Sequence, residues 1–551
     1  MRHFLPYLLS IALALATSTT TPPNFVFLLS ESLDGRLLRE DSPAHIPNIR
    51  ALLSSGSVRF DGAYSNSPVC APARSSLFSG RAPHKIPHEH NGFLVGGAWN
   101  NYEGLAPTYD TRLDQLLATP QWGGYAIDLQ GKTDWTMGSH TETCRLESLT
   151  FNVAWPYNIS ADGGWNTEGD ACSSPGPVAP GGTGTSTDSV YPGDWKITEA
   201  TAAFITAAAL NTTPFFAYLG TSILHPPYAT NQYWYDIAAT RPNPVWPPLP
   251  ELHPCDLQAA MKHGCTPSAG SFPDFHDPSR VARVRRVYLA ELEEYDAMVG
   301  RVVAALNASG QLGNTWVVLG ADHGDMQLEH QMFYKMVPYD PSARVPLVFA
   351  HPSLGAAAVV AQPTQLLDIF PTLLTLANPT QALPTYTDGH DLGPFLRGSP
   401  SDPSRPPFVA FQCHDTDISM SWFGVFNGTH KLVVYGSGGE GIPPQVFDTL
   451  SDPGETVNLA PTLPAGELAA LDAALRSQVD YPSVAMDVAL YQKQQLRFWV
   501  NATGAGWETE VVNQRWEQAW KAAPDRAMMA FKAYLHNDTI AIQPCNGALV
   551  N

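Results

Sequence analysis

Cys70 stands in the run Cys70-Ala-Pro-Ala-Arg74-Ser-Ser-Leu-Phe-Ser-Gly-Arg81. Cysteine is a nucleophile when activated, yet in a secreted chain its ordinary fate is a disulfide. The chain has seven cysteines, and setting Cys70 aside leaves Cys144, Cys172, Cys255, Cys265, Cys413 and Cys545. These can all pair, with the connectivity left open, and the short spacing of Cys255 and Cys265 suggests a small disulfide loop beside His253. Two acidic runs follow apolar stretches: Ser30-Glu31-Ser32-Leu33-Asp34-Gly35-Arg36 and Gly320-Ala-Asp322-His323-Gly324-Asp325. Carboxylate oxygens are hard ligands that suit calcium or magnesium; a histidine is softer and widens the choice of metal. Lys335 lies thirteen residues after Asp322, with Glu329-His330 between them, and further basic groups come from Gly131-Lys132 and Leu224-His225-Pro226-Pro227. A lone lysine or an acidic turn is normally a solvated surface feature. Position at strand ends is what makes these residues candidates.

The elements that must hold them are legible as apolar runs. Residues 24–30 (NFVFLLS) read as a parallel strand buried on both faces, and 214–219, 315–320 and 345–350 have the same character. Helical patterns lie between them at 197–210 and, most clearly, at 281–306, where Val281, Val284, Val287, Leu292, Tyr295, Val299, Val302 and Leu306 keep mostly to three- and four-residue steps. Alternating strands and helices imply an α/β sheet with its ligands at the carboxyl ends of the strands. Residues 162–195, dense in Gly, Ser, Thr and Pro, read as a surface insertion. Beyond about residue 403 the pattern changes: 408–412, 421–426 and 431–435 suggest a small antiparallel sheet, and a helical tail follows over 468–534. The expected organisation is a signal over 1–16, a catalytic α/β domain over 24–400 and a C-terminal subdomain over 401–551.

Hydrophobic content of 44% and charged content of 15% describe a globular chain. Arg2, the apolar stretch 4–16 and Ala14-Leu15-Ala16 make a secretory signal with a small-residue cleavage site. The stretch is too short to span a bilayer and no later run is long and apolar enough, so no membrane span is expected. Six Asn-x-Ser/Thr sequons, at Asn158, Asn211, Asn307, Asn427, Asn501 and Asn537, agree with export and surface glycans. The net charge of −20 argues against a nucleic-acid partner, which needs clustered Lys and Arg. His88-Glu89-His90 lacks the further ligands of a zinc site, and the glycine-rich stretch 181–185 lacks the Gly-Lys-Ser/Thr ending of a phosphate loop.

The Cys70–Arg81 run resembles the sulfatase signature, in which Cys-x-Pro-x-Arg opens a short helix ending near Thr-Gly or Ser-Gly. The resemblance implies an alkaline-phosphatase-like sandwich, with a large mixed and mostly parallel sheet and a smaller C-terminal domain of antiparallel sheet and helices. It also implies that a formylglycine-generating enzyme oxidises Cys70 to an aldehyde, a modification invisible in the translated sequence. The chemical reason is release: a thiolate that attacked a sulfate ester would be trapped as a stable adduct, whereas one hydroxyl of the aldehyde hydrate attacks sulfur and the other collapses back and expels sulfate. Carried over by position, Glu31, Cys70, Asp322 and His323 would be ligands of a divalent cation, Ca2+ or alternatively Mg2+ or Mn2+. Arg74 would stabilise the nucleophile end, Lys132, His225 and Lys335 would grip the sulfate, and His225 can also serve as the acid that protonates the leaving alcohol. Together these basic groups would supply a local positive field inside an acidic envelope.

The departures from the family pattern are informative. Glu31-Ser32 stands where an Asp-Asp pair is usual, and Asp134 stands where a histidine is usual, with His140 a possible replacement. Such features resemble one subgroup of sulfatases, as do Phe333-Tyr334-Lys335-Met336, Glu251-Leu252-His253-Pro254, Gln445-Val446-Phe447-Asp448 and Asn513-Gln514-Arg515-Trp516. That subgroup acts in lysosomes on 2-sulfated glucuronate at the ends of glycosaminoglycan chains, which implies a sulfated saccharide as substrate, His253 as a further substrate contact, and a lysosomal or extracellular location. Two other readings compete: a phosphonate monoester or phosphodiester hydrolase of the same superfamily, and a catalytically silent glycan-binding homologue.

Overall fold

The computed structural model describes residues 22–136 (without 91, 92 and 107), 178–242 (without 187 and 227), 253–256, 259, 278–414, 418, 420–512, 524–542, 544 and 545. The expected signal, Asn158, His140, Cys144, Cys172, Cys265, Asn513–Trp516 and the first part of the insertion lie outside the described residues.

A seven-stranded sheet runs in the order Ala358–Val360, Ser57–Phe60, Leu347–Ala350, Thr315–Ala321, Asn24–Ser30, Phe215–Gly220 and Ala126–Gly131. The last four are mutually parallel. Leu347–Ala350 runs antiparallel to both its neighbours, which corrects the reading of 345–350 as a strand like the others. A continuous apolar run reports burial on both faces and says nothing of direction. Asn24–Ser30 is buried at all seven positions, as its composition requires.

Register is what builds the site. Ser30 pairs with Ala321 across the central parallel ladder, so the next residue on each chain, Glu31 and Asp322, emerges beside the other. At the sheet's far side Gly131 pairs with Gly220, which delivers Lys132 to the same edge. Gly131 has φ of +83°, and a β-carbon there would lie 2.1 Å from the Gly220 carbonyl oxygen. Only glycine fits this turn.

Helices cover the sheet. Pro278–Ala308 packs against both Pro192–Ala208 and Gln232–Ala239. The end of the presumed insertion is therefore not loose surface: residues 192–195 belong to a helix, and Trp195 donates its indole N–H to Glu294 at 2.8 Å. The C-terminal sheet has four strands, Val409–Cys413, Trp422–Phe426, His430–Tyr435 and Gln445–Asp448, all antiparallel. The fourth was matched in sequence by resemblance but not read as a strand. Helices Ala465–Gln478, Tyr481–Thr503, Trp507–Val512 and Pro524–His536 make the tail.

Cys255 is bonded to Cys545, not to Cys265. Sequence proximity favoured the local loop, but the tertiary fold brings Cys545 onto the 253–256 segment. Among the described residues no helix is long and apolar enough to cross a membrane.

One buried group gives the fold a pH dependence. His414 is fully buried beside Trp99 and Phe423, with its ring nitrogens bonded to Ser421 and Gln412. Burial, with some repulsion from His84, pushes its imidazole down to about 3. The unfolded chain takes up a proton near pH 6.5 that the folded chain refuses. Stability therefore falls as pH drops below that value, by about 2 kcal/mol between pH 7 and pH 5 from this group. His414→Gln should flatten the decline in urea midpoint over that interval by a comparable amount; an unchanged slope refutes the assignment.

Candidate functional site

Cys70 opens the helix Cys70–Ser79, whose ten residues are all buried. The preceding Val69 is extended and offers no side-chain cap; instead Asn101 accepts the Ala71 N–H at 3.1 Å. Arg74 follows one turn later on the same face, which is the physical meaning of the Cys-x-Pro-x-Arg spacing. Gly80, with φ of +69°, ends the helix in the left-handed region.

Glu31, Cys70, Asp322 and His323 present ligand atoms that all lie within 4.8 Å of one another, and all four are buried. The Cys70 sulfur is one of these ligand atoms. It lies 3.1 Å from Glu31 Oε1, 3.4 Å from His323 Nε2, 3.2 Å from Lys335 Nζ and 3.5 Å from Lys132 Nζ. Lys132 and Lys335 also reach Glu31, at 2.9 and 3.5 Å. Arg74 donates to Glu31 Oε2 and Asp322 Oδ2 at 2.8 Å each, and to the Tyr218 hydroxyl and the Lys132 carbonyl. Arg74 therefore meets the cluster through the two carboxylates it clamps. His323 Nδ1–H donates to the Gly324 carbonyl at 2.9 Å, which turns Nε2 toward Glu31 and the sulfur. Gly324 is required by close approach: a β-carbon would lie 1.9 Å from the Pro341 carbonyl oxygen.

Electrostatics follows from this packing. Burial opposes ionisation of Glu31, but Lys132, Lys335, His323 and Arg74 outweigh it and hold its carboxyl well below the ordinary value. Burial and the Glu31 charge raise the Cys70 thiol, yet the two lysines and the His323 hydrogen bond bring it down to about 6. For His323 burial works against protonation and Asp322 for it, with a net rise to about 9. Burial raises Asp322 against the pull of Arg74. His225 is pushed well below its usual range by burial and by Lys335 and Lys132.

Two carboxylates, an imidazole nitrogen and the residue-70 side chain form a donor set that fits a divalent cation. The hydroxyl of Ser32, fully buried and adjacent to Glu31, has no hydrogen-bond partner among the described residues, which agrees with a cluster short of one component. Asp34 does not join it: Arg36 bonds both Asp34 and Glu329, and Arg285 bonds Glu329 as well. That network ties the first acidic run to the lysine segment, and it explains the Glu329-His330 pair as structural, with His330 Nε2–H donating to the Gly454 carbonyl.

Of the expected site residues, Glu31, Cys70, Arg74, Lys132, Asp322, His323 and Lys335 converge. His225 stands beside them, bonded to Tyr334 next to Lys335. His253 does not converge. Its ring stacks on Tyr435 with centroids 4.8 Å apart, Nε2–H donates to the Pro443 carbonyl and Nδ1 accepts the Cys255 N–H. Nε2 thus reaches the C-terminal subdomain while Nδ1 serves its own segment, which fixes the ring at that junction. Asp134, at φ of +47°, pairs with Lys132 at 3.3 Å. Lys132 and Asp134 are partly exposed while Glu31, Cys70, Arg74, Asp322, His323 and Lys335 are sealed, so the cluster opens on that side. Sequence reasoning missed Tyr218, hidden inside an apolar strand run, and gave Tyr334 no role although it adjoins Lys335.

Comparison with known proteins matches this geometry. The family profile described as Sulfatase covers residues 23–379. Arylsulfatase K of Xenopus laevis is 31% identical over 552 residues, covering 96% of this chain and 95% of that protein. Arylsulfatase K of Homo sapiens is 30% identical over 536 residues, covering 93% and 92%. Among solved structures, a phosphonate monoester hydrolase from Silicibacter pomeroyi aligns with a TM-score of 0.61 at 23% identity, covering 84% of this chain and 96% of its own. A structure described as a 2-O GAG sulfatase aligns with a TM-score of 0.59, also at 23% identity, covering 84% and 94%. At that identity these last two speak to the fold, which is alkaline-phosphatase-like.

Proposed function

The chain belongs to the sulfatase family, and on that premise we propose that it cleaves the 2-O-sulfate of a glucuronate in a glycosaminoglycan-type saccharide, with formylglycine made from Cys70 as nucleophile. Sulfate-ester hydrolysis itself is the activity of the family and of the arylsulfatase K relatives. The observation that carries the mechanism is the meeting of two ammonium groups, Lys132 and Lys335, on the residue-70 side chain at 3.5 and 3.2 Å. Cations in that position bind the three sulfate oxygens and set sulfur against the attacking atom. The uronate substrate rests on the likeness to arylsulfatase K along nearly the whole chain.

Glu31, Asp322, His323 and residue 70 would hold the divalent cation, for which we favour Ca2+; when bound it supplies Lewis acidity to a sulfate oxygen. Arg74 keeps both carboxylates ionised and aimed. Lys132 and Lys335 bind the sulfate and offset the charge that builds on it. His225, on the open side with Lys132 and Asp134, takes up a solvent proton at Nε2 when the anionic ester binds and passes it to the leaving alcohol oxygen. Asn211, Asn307, Asn427, Asn501 and Asn537 are all exposed, which supports glycosylation along a secretory route to the lysosome or the extracellular space.

Turnover of a panel of sulfated disaccharides, beside phosphonate and phosphodiester substrates, tests the proposal. Preference for 2-sulfated glucuronate upholds it; preference for phosphorus esters would favour the related hydrolase, and no turnover by metal-loaded, oxidised protein would favour a silent glycan binder. The metal assignment has its own check. Glu31→Ala should lower divalent-metal content and Ca2+-dependent thermal stabilisation at least about tenfold in affinity, whereas Glu31→Asp keeps both; unchanged metal binding by Glu31→Ala removes Glu31 as a ligand.

A further inference from the structure

Tyr334 precedes Lys335 and is half-buried at the open side of the cluster. Three observations set it apart. Its hydroxyl lies 2.8 Å from His225 Nε2. Its ring lies under the Lys335 ammonium, 4.1 Å from nitrogen to centroid. Its backbone is left-handed, at φ of +82°, and Leu224, which delivers His225, is left-handed too at +79°. Bulky side chains rarely adopt that conformation, and where they do the surroundings hold them there. Both strained residues lie where the His225 and Lys335 segments touch.

The direction of the hydrogen bond can be deduced. His225 Nδ1 is 2.6 Å from the Pro226 carbonyl oxygen, which can only accept, so Nδ1 carries a proton. In the neutral ring Nε2 then holds a lone pair, and the Tyr334 O–H donates to it. The hydroxyl fixes the tautomer and the ring's rotation, and the two rings meet edge to face with planes at 84°. On its other face the same phenol holds a lysine that has no exposure. A cation over an aromatic ring is attracted by the ring's negative face, the more so when desolvated.

We propose that Tyr334 is a positioning residue that couples the leaving-group histidine to the sulfate-binding lysine, its hydroxyl holding His225 and its ring holding Lys335. The inference rests on the roles given to His225 and Lys335 above. A substrate's leaving oxygen displaces the hydroxyl from Nε2, the bound sulfate's charge draws a solvent proton onto that nitrogen, and the ring already oriented by Tyr334 passes the proton to the leaving oxygen. The two halves of the side chain therefore have separable effects. The hydroxyl matters to protonation of the leaving group, and most for alcohols that leave poorly; the ring matters to sulfate binding.

Three variants of the full chain, assayed after metal loading and confirmed oxidation of Cys70, test this. Tyr334→Phe should keep metal content and thermal midpoint. It should lower kcat about tenfold on a sugar sulfate but less than about threefold on a nitrophenyl sulfate, whose leaving group needs no proton, with KM little changed. Tyr334→Leu, lacking the ring as well, should raise KM about tenfold on both substrates. In the double variant Tyr334→Phe/His225→Ala, activity should match His225→Ala alone, because the hydroxyl acts through the imidazole. Equal losses on the two leaving groups, or losses that multiply with His225→Ala, overturn the coupling. A His225→Ala enzyme with wild-type kinetics on the sugar sulfate would instead remove the role of His225 itself, a failure of the preceding reading that the double variant distinguishes from a failure of this one.

Discussion

Cys70→Ala should abolish hydrolysis, by at least about 10³-fold, in a protein that still folds. The loss is expected because no other side chain in the cluster offers a nucleophile at that point: Glu31, Arg74 and Asp322 are bound into ion pairs, and the lysines are held cationic. Folding should survive because the ion pairs do not pass through the sulfur. Lys132 and Lys335 both reach Glu31 directly, and Arg74 spans Glu31 and Asp322 without it. Removing one small group from a buried polar site leaves a void of modest size, with a cost of about 1–2 kcal/mol. The decisive comparison is kcat/KM and thermal midpoint on the same preparation. Ordinary turnover by Cys70→Ala would end the nucleophile assignment, and a protein that fails to fold would make the residue structural. Peptide mass analysis of active wild-type material should find the aldehyde at position 70.

Arg74→Met is the second large effect, and its sign is less obvious from composition. The guanidinium is fully buried and makes two charged contacts of 2.8 Å to carboxylates that are themselves fully buried. Taking away one partner of a buried ion pair leaves the other uncompensated, at a cost of about 3–5 kcal/mol. Here Glu31 keeps Lys132 and Lys335, but Asp322 loses its guanidinium and is left beside the Glu31 charge. Stability in chelator should fall by that amount and be recovered in large part by a divalent cation, which would take over their compensation; turnover should fall at least about 10²-fold because the carboxylates lose their aim. Arg74→Lys should not restore activity, since an ammonium cannot span Glu31, Asp322, Tyr218 and the Lys132 carbonyl at once. Urea unfolding with and without Ca2+ measures this. Loss of stability that Ca2+ does not relieve would show that Arg74 supports the fold apart from the metal ligands.

Much of this site was legible in sequence because each piece sits in a local context with one physical meaning. Two apolar strands each ended in an acidic run, and the short helix begun by Cys70 put Arg74 on the nucleophile's face one turn on. What local context cannot carry is direction and long-range pairing. The antiparallel course of Leu347–Ala350, the helical end of the insertion, and the bond from Cys255 to Cys545 across 290 residues all depend on where distant segments come to rest. His253 shows the same limit: its neighbours in sequence match a pattern, and only the fold shows its ring nitrogens bonded to the Pro443 carbonyl and the Cys255 N–H.

Sequence by itself determined the chemistry available: a cysteine in a sulfatase-like motif, hard ligands at strand ends, and basic residues enough to hold an anion within a chain of net charge −20. Tertiary structure alone decided how those charges are used. Parallel register sets Glu31 beside Asp322, burial removes the water that would screen them, and distance then assigns Arg74 to the carboxylates, the two lysines to residue 70 and Tyr334 to His225. Residue types fix which interactions are possible, but Coulomb and hydrogen-bond energies fall steeply with separation and solvent, and separation is a property of the fold.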